Sequence, residues 1–461
     1  MPTTQAVPTE LLRRFDVAGP RYTSYPTADR FVEAFDAETY GSWLAKRFLG
    51  GVSKPLSLYV HLPFCGSICY YCACNKVITR DRGRAAKYVR YLEREIDMCG
   101  ELLAGGLDVA QMHWGGGTPT FLSHAELARL MAALRCRFNL EERSECSIEI
   151  DPRTLQAGTL ELLRELGFNR ISLGVQDFDP EVQRAVHRIQ SEEQTLEAMA
   201  EARGLQFRSI NVDLIYGLPR QHVIGFNRTL DKVIDSRPDR VALYNYAHLP
   251  AVFKPQRRIN EADLPSAETR VQLLSLAIRR LTGAGYAYIG MDHFALPSDQ
   301  LAVAQRQGRL QRNFQGYSAG PDCDLLGLGI SAIGQMGPTY SQNVKTLEEY
   351  YDRLERSVLP VLRGVELTAD DLVRRAVIQC LMCRFEVPIE SIEIAHLIEF
   401  RKYFAMELQD LEPFENAGMM TLDDKWLSVT ALGRFFIRNI CMVFDRYLRE
   451  GRERVRYSKA V

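Results

Sequence analysis

Seven short apolar runs, each rich in β-branched or aromatic residues and each followed by a longer amphipathic stretch, constrain this chain more than any other feature. They are SLYVHL (57–62), VAQMHW (109–114), CSIEI (146–150), RISLGV (170–175), SINVDLIY (209–216), RVALYNY (240–246) and YAYIGM (286–291). The interval between successive runs leaves room for one helix and its loops, the rhythm of parallel strands joined by crossover helices. Ser123 with Glu126 and Ser191 with Gln194 have capping-box spacing, and Gly167 and Gly204 sit where helices would end. The pattern predicts an α/β fold, a partial or closed parallel βα (TIM-like) barrel with its site at the C-terminal strand ends. An open doubly wound sheet is the main rival. Polar or glycine-rich strand ends, namely Gly115 to Pro119, Glu149, Gln176, Asp213, Tyr246-Ala247-His248 and Asp292-His293, are expected to share one rim.

The barrel with its cysteine loop is expected over residues 51–344, after an N-terminal arm at 1–50. A mostly helical C-terminal domain is expected at 345–461, where charged helical patterns such as LTADDLVRRAVIQCLMCRF take over and the Asp445 to Lys459 tail is rich in arginine. Lys and Arg number 57 against 58 Asp and Glu, so the chain lacks the basic excess of a nucleic-acid binder. The longest uncharged run, Leu325 to Val344, holds four glycines and a proline and reads as loop and buried strand, so no membrane span is expected. The opening residues show no apolar targeting stretch, which gives an expected cytoplasmic location.

Eleven cysteines, odd in number and uneven in spacing, do not make a disulfide framework. Four of them, Cys65, Cys69, Cys72 and Cys74, crowd into ten residues directly after the first run, while the others are scattered through apolar or helical patterns. The C-x3-C-x2-C spacing of Cys65, Cys69 and Cys72 lets three thiolates meet three corners of an iron–sulfur cube. The fourth iron then stays open to a small molecule, as the free position of a catalytic zinc does. A zinc site with Cys74 as fourth ligand is the alternative, although zinc ligand pairs usually come from separated loops. Fourth-ligand, redox and structural roles for Cys74 stay open. His61 and His113 read as hydrogen-bonded structural histidines, and Cys380 and Cys383 as core.

The cysteine loop, Tyr71 just before the third cysteine, and Gly115-Gly116-Gly117-Thr118-Pro119 after the second run resemble the radical S-adenosylmethionine enzymes. More narrowly, the chain is similar along essentially its whole length to the oxygen-independent coproporphyrinogen III oxidase (dehydrogenase) family. The matching stretches are GPRYTSYPTA, LYVHLPFC, CYYCACNK, HWGGGTPT, SIEIDPR, GVQDF, VQRAVHR, NVDLIYGLP, NYAHLP, GMDHFA, RNFQGY and IRNICM.

The resemblance implies a 4Fe-4S cluster on Cys65, Cys69 and Cys72, its open iron binding the amino and carboxylate groups of S-adenosylmethionine. It implies that Tyr59 contacts that molecule, and that Tyr71, Gly116, Gly117, Thr118, Glu149, Gln176, Arg188, Asp213, Ala247 and Ile333 line two S-adenosylmethionine positions. The residue types suit the task. Gly117 would let backbone approach the ligand, Glu149 or Asp213 would accept hydrogen bonds from ribose hydroxyls or an ammonium, and Arg188 would pair with a carboxylate. Ala247 and Ile333 would touch an adenine. The implied reaction is oxidative decarboxylation of two propionates of coproporphyrinogen III to vinyl groups, started by a 5'-deoxyadenosyl radical and giving protoporphyrinogen IX for haem synthesis. Arg21, Arg312 and Arg188 are candidates to meet the substrate's four carboxylates, while Tyr22 and Tyr25 either close the site or pack an arm. The implied partners are an unidentified reductant and electron acceptor, and the implied state is a monomer. A haem-binding chaperone relative and a radical enzyme acting on another substrate are the alternatives. The CxC continuation and the GPRYTSYPTA segment favour the dehydrogenase.

Overall fold

Six of the seven runs become adjacent parallel strands in a computed structural model that describes residues 9–15, 17–47, 54–103 and 107–451. They are β1 (Leu56–Leu62), β2 (Asp108–Gly116), β3 (Asn139–Ile150), β4 (Arg170–Gln176), β5 (Ser209–Tyr216) and β6 (Arg240–Asn245). Each pairs with the next in chain order. The intervening chain forms helices such as His124–Arg137 and Glu192–Gly204, both opened by the expected capping boxes. Gly167 takes the left-handed conformation after its helix, but Gly204 ends its helix in ordinary geometry and Gln206 adopts the positive φ instead.

The seventh run departs from the expected pattern. Strand β7 (Ala287–Gly290) runs antiparallel to β8 (His293–Ala295), which is itself antiparallel to β6. Only Met291 and Asp292 separate β7 from β8, a link that suits a hairpin, and β8 takes the edge of β6, so β7 points the same way as β6 but one strand removed from it. Asp292-His293 nevertheless stays beside the C-terminal half of β6, because β8 starts at His293 opposite Ala242, and His293 lines the inner cavity with Asp213 and Tyr244. Asp292 pairs with Arg21 at 3.1 Å, and its carbonyl accepts the Leu243 N–H.

The seventh parallel strand comes instead from the uncharged segment. Strand β9 (Asp324–Leu328) is buried throughout and pairs with the free side of β1. The chain then continues antiparallel through β10 (Ile333–Met336), β11 (Thr339–Asn343) and β12 (Val361–Glu366). Among the described residues no pairing joins β12 to β7, so the barrel is the partial form.

The expected start of the helical domain at residue 345 falls inside this body, because helix Leu347–Glu355 and β12 precede the helical unit and β12 extends the large sheet. We place that unit from about residue 367. The boundary expected at residue 50 lies outside the described residues. In the C-terminal unit, helix Ala369–Arg384 buries Val377, Leu381 and Cys383 beside Phe400, Phe436 and Cys441, and a three-stranded antiparallel sheet lies alongside. The N-terminal arm packs on this unit. Tyr22 and Tyr25 are buried, Tyr22 Oη donates to Asp445 at 3.0 Å, and Arg438 Nε donates to the Pro20 carbonyl at 3.0 Å.

One polar seam fixes the end of β1. Helix Arg82–Leu103 lays Val89, Leu92 and Ile96 into the core and carries Glu95 with them. The Glu95 carboxylate accepts hydrogen bonds from Gly329 N (2.7 Å), Asn343 Nδ2 (2.7 Å) and Tyr350 Oη (2.6 Å). Burial pushes its pKa up to about 7 against those three bonds. Tyr88 on the same helix donates to the His61 carbonyl at 2.8 Å and accepts the Ile330 N–H at 3.0 Å. Glu95→Ala strands three buried donors and should cost roughly 3 kcal/mol of stability. Thermal denaturation should show this as a lowered melting temperature, with Glu95→Gln losing less.

Candidate active site

The chain leaves β1 through Pro63 and Phe64 and enters the cysteine loop at Cys65. Two neighbours hold this exit. Val77 N bonds the Pro63 carbonyl at 2.8 Å and Thr79 N the Cys65 carbonyl at 3.0 Å, so the far end of the loop returns beside its start. From β2, Gly117 N donates to Leu62 O at 2.8 Å and Thr118 N to Phe64 O at 2.9 Å. A Cβ on Gly117 would lie 2.5 Å from the Pro63 carbonyl carbon, and one on Gly116 (φ +113°) would lie 2.6 Å from the His61 ring. Close approach of backbone to backbone thus requires glycine at 117, whatever ligand lies beyond it. Lys76 Nζ closes the loop on the Cys72 and Cys74 carbonyls, at 3.0 and 3.3 Å.

The loop faces a cavity of about 590 Å³. Cys65, Cys69, Cys72 and Cys74 stand on its wall together with Tyr71, Gly116, Gly117, Thr118, Glu149, Gln176, Arg188 and Asp213. Three expected residues lie off that wall. Tyr59 sits within β1 with its hydroxyl 3.1 Å from His61 Nδ1 and its ring stacked on His113. Ala247 follows β6, and its carbonyl accepts Gln256 Nε2 at 3.1 Å; the same amide nitrogen holds the Tyr71 carbonyl. Ile333 opens β10 opposite Gln342. His61 and His113 are hydrogen-bonded as expected, His61 to the Asn75 carbonyl and His113 to Ser147 and Glu149.

The carboxylates of Glu149, near the end of β3, and Asp213, within β5, differ in environment. Burial alone would raise the Glu149 pKa, but His113 and the Gly116 N–H, at 3.3 and 3.1 Å, hold it below the ordinary glutamate value. Asp213 is pushed up to about 6 by burial first and by the Glu149 charge second, against hydrogen bonds from Ser172 (2.9 Å) and Asn211 (2.8 Å). Arg188 donates to Asp151 at 3.0 Å and to the Gly174 carbonyl at 2.6 Å.

Arg188 also reaches Cys69 Sγ at 3.8 Å, and Arg153 reaches the same sulfur at 3.7 Å. Asp151 binds both guanidiniums, Arg153 at 2.6 Å. Asp151 and Arg153 were not singled out from the sequence. Asp151-Pro152-Arg153 has the form of a capped turn, which it also is, since Asp151 Oδ1 accepts the Arg153 N–H. Nothing in that form shows that two arginines far apart in the chain aim at one thiol.

The donor set suits an iron–sulfur cluster with a charged small-molecule ligand. Cys65, Cys69 and Cys72 share one wall with Cys74, and the buried Gln176 Oε1 and Arg188 Nε have no hydrogen-bond partner. Among the described residues no three His, Cys, Asp or Glu side chains gather around a point that a single ion would fill.

A C-x3-C-x2-C loop at the end of the first strand of a partial parallel barrel is the arrangement of the radical S-adenosylmethionine class, and the Radical SAM superfamily model matches residues 59–233. The HemN C-terminal domain model matches residues 367–436. The oxygen-independent coproporphyrinogen III oxidase of Pseudomonas aeruginosa is 53% identical, with 98% of each chain covered, and that of Escherichia coli is 47% identical at the same coverage. The solved coproporphyrinogen III oxidase (HemN) from Escherichia coli, described as a radical SAM enzyme, superposes with a TM-score of 0.91 at 46% identity, over 96% of this chain and 100% of that one. The chain belongs to the oxygen-independent coproporphyrinogen III oxidase family. Its cofactors are those of the superfamily, a 4Fe-4S cluster and S-adenosylmethionine.

Gly117→Ala should leave secondary structure unchanged by circular dichroism while iron retained after anaerobic reconstitution falls severalfold, because the added methyl forces Pro63 and hence Cys65 away. A second test concerns Asp213. Its folded pKa lies above the unfolded value, so the native state holds the extra proton and loses stability as pH rises from about 4 to about 6. Asp213→Asn removes that loss. The melting temperature of the iron-free variant relative to the parent should therefore climb between pH 4 and pH 7 and then level off.

Proposed function

We propose that this chain carries out the reaction of its family, converting two propionates of coproporphyrinogen III to vinyl groups without oxygen and giving protoporphyrinogen IX for haem synthesis. One observation carries the reading. The cavity faced by Cys65, Cys69 and Cys72 shares Glu149, Ser172, Asp213 and Tyr244 with a second cavity inside the barrel, so a cluster-bound ligand and a substrate would meet at one wall. When bound, the cluster and S-adenosylmethionine supply a carbon radical able to take hydrogen from an unactivated C–H bond.

The protein's own groups orient and enclose. Arg188, fixed by Asp151 and the Gly174 carbonyl, offers its unpartnered Nε to a ligand carboxylate. Glu149 stays ionised and accepts from an ammonium or ribose hydroxyls, and Gln176 Oε1 accepts a further donor. Tyr71, Gly116, Gly117 and Thr118 complete the wall, while Tyr59, Ala247 and Ile333 support it or contact the second ligand position. Each propionate loses one hydrogen atom, one electron and carbon dioxide, so the chain works with a separate reductant and an electron acceptor. The proposed working form is a cytoplasmic monomer without a nucleic-acid partner. No helix among the described residues is long and apolar enough to cross a membrane.

The test is anaerobic. Protein reconstituted with iron and sulfide, then given dithionite, S-adenosylmethionine and coproporphyrinogen III, should form deoxyadenosine, carbon dioxide and protoporphyrinogen together. Cys69→Ser should lower all three by at least a hundredfold. Deoxyadenosine without a decarboxylated tetrapyrrole would overturn the substrate.

A further inference from the structure

The barrel's inner cavity shares the wall residues Gln111, Asn313 and Ser318 with a neighbouring cavity of about 290 Å³. That space lies between the hairpin of Gln311–Asn313 with Gly316–Ser318 and the helix Ala369–Arg384. Two guanidiniums stand on its wall. Arg312 is 6% exposed; its Nη2 makes a long 3.4 Å bond to the Arg21 carbonyl, and its carbon centre lies 4.6 Å from the Tyr317 ring centroid. Its Nε and Nη1 are buried and bond to nothing. Arg375, on the helix, has a buried Nη1 in the same state.

Neither residue has an ion pair among the described residues. The arginines the barrel needs for itself are treated differently. Arg170 pairs with Glu145 at 3.2 Å and Arg240 with Asp299 at 2.9 Å. Gln379, one turn beyond Arg375, donates to the Arg312 carbonyl at 3.1 Å and holds the two carriers together. A buried guanidinium without an anion is costly to keep, and its planar fork matches a carboxylate in two bonds.

We propose that Arg312 and Arg375 bind a propionate carboxylate of the tetrapyrrole other than the one undergoing reaction, an inference that rests on the function proposed above. This cavity shares no wall residue with the cysteine cavity, and the inner cavity lies between them. A substrate with four carboxylates is then anchored at one side while a propionate on another side faces the reacting centre.

The experiment compares Arg312→Gln and Arg375→Gln with the parent, all reconstituted with iron. The probes are coproporphyrin III, its tetramethyl ester, and turnover of coproporphyrinogen III. Each variant should raise KM and the coproporphyrin Kd about tenfold, leaving ester binding, iron content and S-adenosylmethionine binding unchanged. A change below twofold in both constants, or equal weakening for the ester, overturns the anchor. Arg375→Gln, on a half-buried helix position, keeps the test decisive if Arg312→Gln fails to fold. A parent that converts no coproporphyrinogen overturns the proposed function itself, whereas an active parent with unaffected variants overturns the anchor alone.

Discussion

Two backbone hydrogen bonds, Gly117 N to Leu62 O and Thr118 N to Phe64 O, join the second strand's turn to the chain just before Cys65, and the site's geometry depends on them. They form only because residue 117 has no side chain; any Cβ would occupy the space of the Pro63 carbonyl. Parallel pairing of β1 with β2 brings the two strand ends level, and this contact converts that alignment into a fixed origin for the cysteine loop. The Glu95 and Tyr88 seam fixes the same strand end from outside, with buried groups whose hydrogen bonds are all made within the fold.

The polar side chains around the cavity fall into two sets. Asp151 with its two arginines, Glu149 with His113, and Asp213 with Ser172 and Asn211 each have internal partners that hold them in place. Gln176 Oε1, Arg188 Nε and, in the neighbouring cavity, Arg312 Nε and Nη1 have none. Since an unmet buried donor or acceptor costs on the order of 1–3 kcal/mol, the second set marks where ligand atoms would repay the fold. Both kinds occur on one residue in Arg188, which is clamped at two nitrogens and has an unpartnered Nε.

Incomplete closure of the barrel gives the inner cavity a side for the C-terminal unit to cover. The edge hairpin of β7 and β8, the hairpin around Arg312 and helix Ala369–Arg384 meet there, and the N-terminal arm ties onto the same unit through Tyr22 and Arg438. The helical unit therefore contributes to the wall of the cavity that holds Arg312 as well as to the molecule's second core.

The sequence by itself determined the parallel βα body, the capping boxes, the cysteine loop after the first strand and most of the cavity wall, because these depend on spacing along the chain. A hydrophobic period specifies which face of a strand is buried, and a three-cysteine loop carries its own ligand geometry. Only the tertiary structure decided which run supplied the seventh parallel strand. YAYIGM and DLLGL are both apolar, and the choice rests on β8 taking the edge of β6 and on the free edge of β1. The convergence of Arg153 and Arg188 on Cys69 and the unpaired state of Arg312 were likewise decided there. Both are statements about what stands across a space from a side chain, and a linear pattern of charge holds no information about distance through space.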